Sequence, residues 1–462
     1  MSGFKEDVIF SFVPVIRRLI DVISGATQQE ACAAPNPASE RSANVTYLFA
    51  AYIVFIASMF LSNNFFLGHE LFLYAVLPLA FLPFHIAQFR FRWRTLALPI
   101  AISAQNTART LHMARSPMFG AAVLYTVCIT ASSWVHPEPD VLSFIQQMLL
   151  MIPVLLFLLV TARLVVDYHN FFDAFYTILA PTVALNAAAN LVVFVKGLPD
   201  LASIVDNRLY PTYGLATAFW PTNASLTYAM FFVASVATAS ILESNWRRVL
   251  LLLSALVLFI AILLTQGRGA LVGSVGSLCV YSLISSRRIR QAIILFAAIT
   301  AFLVIIIPHF RDLALRRGDG LRLEIWSKFI PMALEQPFSG YGQRIIFGVP
   351  VSNGERILHP HNMVLAAQIR GGLGAGLAML VLLLGGVRST FSYYRAGGNP
   401  APLCVLLTLS IAGLVDYEVQ TSFANWYWVT FWLPFGLCIG SDVALRKGQT
   451  KALGSMKTLG SL

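Results

Sequence analysis

The stretch "RILHPHN" at 356–362 places two of the chain's eight histidines one residue apart, at the start of a long apolar run. Imidazole is the side chain whose ordinary proton affinity lies nearest neutrality, so a well-held histidine suits a general base that takes a proton from a hydroxyl. Pro360 fixes the backbone between the pair and disfavours helix at His359. His361 and Asn362 are therefore expected in the first turn of the following helix, where the dipole opposes protonation of His361. His359, held extended, is expected to point elsewhere and to serve in positioning or acceptor binding. The plainer alternative is that both histidines mark a membrane interface. Zinc would need further ligands, and no cysteine or additional histidine lies nearby, so neither a metal nor another cofactor is expected.

Arginines supply the second kind of chemistry. In "LLTQGRGALVG" at 263–273, Arg268 sits in a turn of a few residues between two apolar runs. An ionised group so close to hydrocarbon is costly, which makes it a functional suspect, although an arginine snorkelling from a helix end is the ordinary alternative. The flanking Gly267 and Gly269 would let a large anion approach the guanidinium, and the free amides of the next helix would favour a phosphate. Arg208 lies in "DNRLYPTYGLATAFWPTN" at 206–223, whose Tyr, Pro, Trp and Gly content builds a fixed surface. It is either a solvated loop arginine or the partner of Arg268 in gripping a diphosphate, since guanidinium forks engage phosphate oxygens bidentately. The stretch 320–342 reads as an amphipathic helix along the membrane surface, with Leu321, Ile325, Trp326, Ile330, Met332 and Leu334 apolar, closed by Pro337 and a Gly340–Tyr341–Gly342 turn. Arg322 and Glu324 point off its apolar face, and whether they touch a substrate or only their neighbours stays open. Arg356 joins the same polar group.

These groups must be held by a scaffold that is mostly apolar: 57% of residues are hydrophobic, 11% are charged, and the mean hydropathy is +0.72. That composition excludes a soluble domain of this length and predicts an all-α polytopic membrane protein. About twelve runs can cross a roughly 30 Å hydrocarbon layer, near 44–62, 71–87, 117–135, 141–166, 171–196, 224–243, 248–265, 269–286, 291–308, 363–386, 401–416 and 425–443. The short run 95–104 also dips toward the bilayer. The expected organisation is an interfacial helix and linker at 1–43, nine spans over 44–308, a large external loop with short amphipathic helices at 309–361, three spans over 362–445, and a tail at 446–462. The five cysteines are scattered without metal-like spacing and read as small packing residues.

The formal charge of +11 reflects topology rather than nucleic acid. Arg90, Arg92, Arg94, Arg109, Arg115, Arg247, Arg248, Arg287, Arg288, Arg290, Arg388, Arg395 and the tail cations fall in alternate loops. Those loops and both termini are therefore expected on the cytoplasmic side. The opposite loops, such as "HPEPD" and "DYEVQTSFAN", are nearly free of cations. Arg208, Arg268, the cluster Arg311, Arg316, Arg317 and Arg322, and Arg356 with the two histidines are the exceptions, and all fall on the one external face.

The "GRGA" turn, a late external loop containing "RLEIW…PFSGYG" and "HPHN" opening the next helix together resemble the O-antigen ligase family, within the O-antigen ligase and polymerase superfamily of bacterial inner membranes. In motif terms the resemblance covers roughly 200–385. It implies a metal-independent, inverting glycosyltransferase of the GT-C type, multi-pass in the inner membrane with its active site facing the periplasm. The implied donor is a glycan on undecaprenyl diphosphate, the acceptor a sugar hydroxyl of lipid A-core, and the pathway lipopolysaccharide biosynthesis. Membrane lipid is the surrounding partner and nucleic acid is not one. By the same resemblance His361, Arg268 and Arg208 are the catalytic residues, with Pro221 to Asn223 matching a looser segment after Arg208. Arg322, His359, Asn362 and Arg356 are the expected substrate-binding residues, and no metal ligand is expected. Two other readings remain: a polymerase using a second lipid-linked glycan as acceptor, and a non-catalytic flippase for lipid-linked sugar. A flippase should carry charges at mid-membrane or on both faces, whereas these are external, which favours an enzyme.

The charge asymmetry carries its own test. In intact cells a membrane-impermeant thiol reagent should label a cysteine placed at 353 and spare one placed at 290; the reverse pattern would invert the orientation.

Overall fold

A backbone in hydrocarbon must satisfy its own N–H and C=O groups, so apolar runs of this length fold as helices. The computed structural model describes residues 37–63, 65–81, 107–135, 141–200, 203, 207–214, 220–287, 290–291, 294, 321–342, 348–352, 354–417 and 425–448. The expected interfacial helix, the dip at 95–104, most of the run 291–308 and the cluster Arg311, Arg316 and Arg317 lie outside those residues.

The helices are α1 (Pro37–Leu61); α2, which runs as Phe65–Leu71, a π-helical turn Phe72–Val76 and Leu77–Phe81; α3 (Pro117–Val135); α4 (Val141–Asp167); α5 (Phe171–Lys196); and α6 (Pro221–Ala239). They continue with α7 (Asn245–Thr265), α8 (Arg268–Ile284), α9 (Arg322–Glu335), α10 (Met363–Arg395), α11 (Ala401–Asp416), and α12, whose π-helical turn Trp428–Trp432 leads into Leu433–Arg446. Among the described residues six are long and apolar enough to cross a membrane: α3, α4, α5, α7, α10 and α12. Shorter apolar helices lie in α1, α2, α8 and α11. The segment expected to contain short amphipathic helices also contains an antiparallel hairpin, β1 (Val349–Pro350) with β2 (Arg356–Ile357), pairing Val349 with Ile357.

Helix α6 forms the centre, with nearly every side chain buried among α5, α7, α8 and α11. Alongside it, α8 packs closely on α11 because its facing positions are small. A methyl group at Gly273 would come within 2.7 Å of the Thr408 carbonyl oxygen, and one at Gly269 within 2.8 Å of the Asp416 β-carbon. Glycines at three- to four-residue spacing let helix backbones approach where lipid offers no hydrophobic drive. This contact sets the end of α11 against the start of α8. A second aromatic core holds α12 against α1, α2 and α4, with the Trp428 ring 5.0 Å from Phe72 and 4.9 Å from Phe157.

Helix α10 is broken at Gly371 and Gly372, where Gly372 has φ 69° and ψ −171°. The segment 337–342 fills the gap. Tyr341 N–H donates to the Ile369 carbonyl (2.8 Å), Gly342 N–H to that of Arg370 (2.8 Å), and Leu373 N–H to that of Pro337 (2.7 Å), so the groups freed by the break are paired. Gly371 and Gly374 pack closely on Ile129 and Cys128 of α3, whereas Gly372 is required by the break itself.

A β-carbon at Gly372 would collide with the Phe338 carbonyl oxygen, in a backbone region that suits only glycine. Gly372→Ala should lower stability by about 1–3 kcal/mol, read as an earlier thermal unfolding of the purified protein in detergent.

Candidate active site

At one end of the bundle, Asp416 closes α11 and is 9% exposed. One of its oxygens, Oδ1, accepts from Arg322 Nη2 at 2.8 Å and lies 3.1 Å from His361 Nδ1. Arg322 also donates through Nε to the Val415 carbonyl at 2.7 Å, so its guanidinium grips both the backbone and the side chain at the end of α11. The negative charge further faces the start of α8, where the helix dipole favours it. The partner of Arg322, open in the sequence, is Asp416.

A carboxylate has no proton to donate, so the His361 imidazole presents Nδ1–H to it and keeps the Nε2 lone pair for another proton. The backbone here differs from the expected first helical turn. His361 is left-handed, with φ 52°, a conformation that costs a non-glycine residue about 1–3 kcal/mol unless its surroundings hold it. Asn362 is the N-cap of α10: its Oδ1 accepts from the N–H groups of Val364 and Leu365, both at 3.0 Å, and its Nδ2 donates to the Leu414 carbonyl. The carboxamide expected to bind substrate is thus engaged in capping α10 and joining it to α11. His359 does not point elsewhere: its ring lies 4.0 Å from that of His361, and its Nδ1 accepts the His361 N–H at 3.3 Å. Proline made the two side chains diverge on paper, but the left-handed residue after it turns the chain back.

Arg268 is the first residue of α8 and half-buried. Its glycines do not clear a path to the guanidinium as the sequence suggested. Gly267 is packed on Ser225 of α6 and Gly269 on Asp416, so both serve the close approach of helices around the turn. Arg208 comes to the same turn from the other side. Its Nε donates to the Thr265 carbonyl at 2.6 Å, and the neighbouring Leu209 N–H donates to that of Leu264 at 2.9 Å. The 207–214 segment is fixed by three asparagines that the sequence reading passed over. Asn190 Oδ1 accepts from the N–H groups of Thr212 and Tyr213, Asn186 Nδ2 donates to the Tyr213 carbonyl, and Asn63 Oδ1 accepts from Gly214 N–H. Asn186 and Asn190 are both buried on α5. The signal was present: a carboxamide inside an apolar span needs a polar partner.

Tyr417 follows Asp416 and ties the end of α11 to the start of α6. Its hydroxyl donates to the Thr222 carbonyl, and burial followed by the Asp416 carboxylate pushes the phenol well above its ordinary range, while Arg208 pulls it the other way.

Around this centre, α9 buries Ile325, Phe329 and Ala333 and leaves Ile330 and Leu334 exposed. Glu324 accepts from Lys328 and from both the N–H and hydroxyl of Ser352, which ties the hairpin to α9; hydrogen bonds from Ser352 and Lys328 hold its carboxyl below the ordinary value. Arg356 folds back onto its own hairpin, donating to the Gly348 carbonyl rather than reaching Asp416.

Comparison with known proteins agrees with the motif reading. Residues 253–383 match the family model described as O-antigen ligase. Over 176 residues, 37% of this chain, the sequence is 27% identical to an O-antigen ligase of Pseudomonas aeruginosa. The match spans 43% of that relative, so the chain covers less than half the length of the curated protein it matches. Resemblance to the O-antigen ligase family, in a chain with several membrane-spanning helices, is therefore shown. Arg268, Arg322, His359 and His361 fall within the matched region; Arg208 and Asp416 fall outside it.

Asp416→Asn preserves size and the packing on Gly269 but removes the charge facing Arg322 and His361. Because Arg322 is partly open to solvent, the expected loss of stability is about 1–2 kcal/mol. A thermal shift against wild type in detergent measures it.

Proposed function

We propose that the chain is an O-antigen ligase that transfers a glycan from undecaprenyl diphosphate to a sugar hydroxyl of lipid A-core. The reaction would proceed at the periplasmic face of the bacterial inner membrane, as a step of lipopolysaccharide biosynthesis. The supporting observation is the contact between His361, which lies in the segment that matches the O-antigen ligase family model, and Asp416, which packs beside the turn bearing Arg268. On this reading the chain crosses the membrane about twelve times, and the 309–361 loop roofs an external cavity. The boundaries stay those read from the sequence, with spans at 44–308 and 362–445.

His361 Nε2 accepts the proton of the acceptor hydroxyl as its oxygen bonds to the anomeric carbon of the donor. The bond from that carbon to the diphosphate oxygen breaks, and its electron pair leaves with the diphosphate. Arg268 and Arg208 stabilise the developing charge, a task for which permanently ionised planar forks are suited. Asp416 holds the imidazole in the tautomer that leaves Nε2 free and balances the imidazolium that forms. Direct attack by the acceptor inverts the anomeric configuration. Arg322 orients Asp416, His359 supports His361, and Arg356 at the hairpin faces the incoming saccharide. No step calls for a metal.

Three measurements test this reading in the purified full chain, with prenyl-diphosphate glycan as donor and lipid A-core as acceptor. His361→Ala should cut turnover by roughly 10²–10⁴-fold while donor binding is kept. Arg268→Lys should lose most activity although the charge remains, because a point ammonium does not reproduce the fork. Transfer should continue in excess EDTA. Product formed only when extra lipid-linked glycan replaces lipid A-core would identify a polymerase instead. Ordinary turnover by His361→Ala, or loss on chelation restored by a divalent ion, would remove the assigned base.

A further inference from the structure

We infer that Trp326 is a positioning residue for His361, acting through the backbone rather than on substrate; this rests on His361 being the base of the proposed transfer. The indole Nε1–H of Trp326 donates to the carbonyl oxygen of Pro360 at 2.9 Å. That carbonyl belongs to the peptide joining Pro360 to His361, so the bond fixes the plane on which the left-handed His361 turns. A left-handed non-glycine residue persists only where its surroundings over-determine it. The other restraints on this peptide are the ring of Pro360, the bond from the His361 N–H to His359 Nδ1, the cap formed by Asn362, and the contact between His361 Nδ1 and Asp416. Among these, Trp326 alone reaches across from α9, one turn after Arg322, which grips the same Asp416. Helix α9 thus holds both partners of the dyad, the carboxylate by Arg322 and the imidazole's backbone by Trp326.

Trp326 lies within the small external core of Ile325, Phe329, Ala333, Val351 and Ile369, against which its ring is partly buried. Packing explains an aromatic residue at this position, but not an indole N–H aimed at the one carbonyl preceding a strained histidine. Displacing a reacting group by about 1 Å can cost up to 10²-fold in rate, so losing one of several restraints should cost less than that.

Trp326→Phe keeps an aromatic ring in the core and deletes the donor, and a thermal melt confirms that the variant folds. With the lipid-linked glycan and lipid A-core, the expected result is a fall in kcat of about tenfold with KM within about twofold. The same substitution made in the His361→Ala background should change kcat by less than about twofold, because a residue that acts only through His361 has nothing left to position. An equal loss in both backgrounds, a change confined to KM, or no change at all would overturn the inference. In parallel, the ring nitrogens of His361 in protein labelled with nitrogen-15 histidine should shift in Trp326→Phe, and unmoved signals would likewise overturn it. If His361→Ala alone kept ordinary turnover, the base assignment would fall, and the ring-nitrogen signals would still decide whether Trp326 holds His361.

Discussion

One carboxylate organises the site. Asp416 is nearly buried at the end of an apolar helix, where an unpaired charge would be costly, and the chain meets that demand with groups brought from three separate segments. Arg322 comes from a surface helix, His361 from the chain just before α10, and the dipole end of α8 from a glycine-flanked turn. Remove the charge and these segments lose their common point of reference. The glycine face of α8 matters for the same reason: bulk at Gly269 would push the carboxylate away from the turn that carries Arg268.

Neutralising a buried anion and building a reactive group are here the same construction. An imidazole beside a carboxylate has one nitrogen committed, and the chemistry is left to the other. The left-handed backbone at His361 carries an energetic expense the surroundings must absorb. They do so with the constraint of the proline ring and with directional bonds from the asparagine cap and the indole donor, rather than with apolar packing alone. The arginine side of the site uses the same device, since the segment bearing Arg208 is fixed by carboxamides from α5 and from the end of α1.

Much of this was legible in the sequence, and the failures have identifiable physical causes. The apolar run 401–416 coincides with α11, and the amphipathic stretch at 320–342 contains α9, because hydropathy and local periodicity decide such elements. Asp416 is the last residue of a span and the first of "DYEVQTSFAN", so nothing in its neighbourhood along the chain distinguishes it from an ordinary loop acid. Its partners lie 55 and 94 residues away, and no local pattern encodes a pairing at such separations. The direction of His359 is the exception: proline's preference at the preceding residue is a local rule, and the left-handed turn that overrides it is imposed by tertiary contacts. The glycines around Arg268 have other helices as neighbours, which the sequence does not reveal, since a missing side chain says only that something approaches, not what.

The break in α10 bears on how such a protein can change. Its three closing bonds to 337–342 run from main chain to main chain, so they read the path of the chain and not the identity of its side chains. Apart from Gly340, Gly342, Gly371 and Gly372, whose backbones lack room or adopt left-handed angles, the splice is indifferent to residue type. Phe338 and Ser339 can therefore drift in sequence, and with them the outer surface of the segment, while the scaffold beneath His361 keeps its dimensions. The fastening separates what must stay constant for chemistry from what is free to diverge.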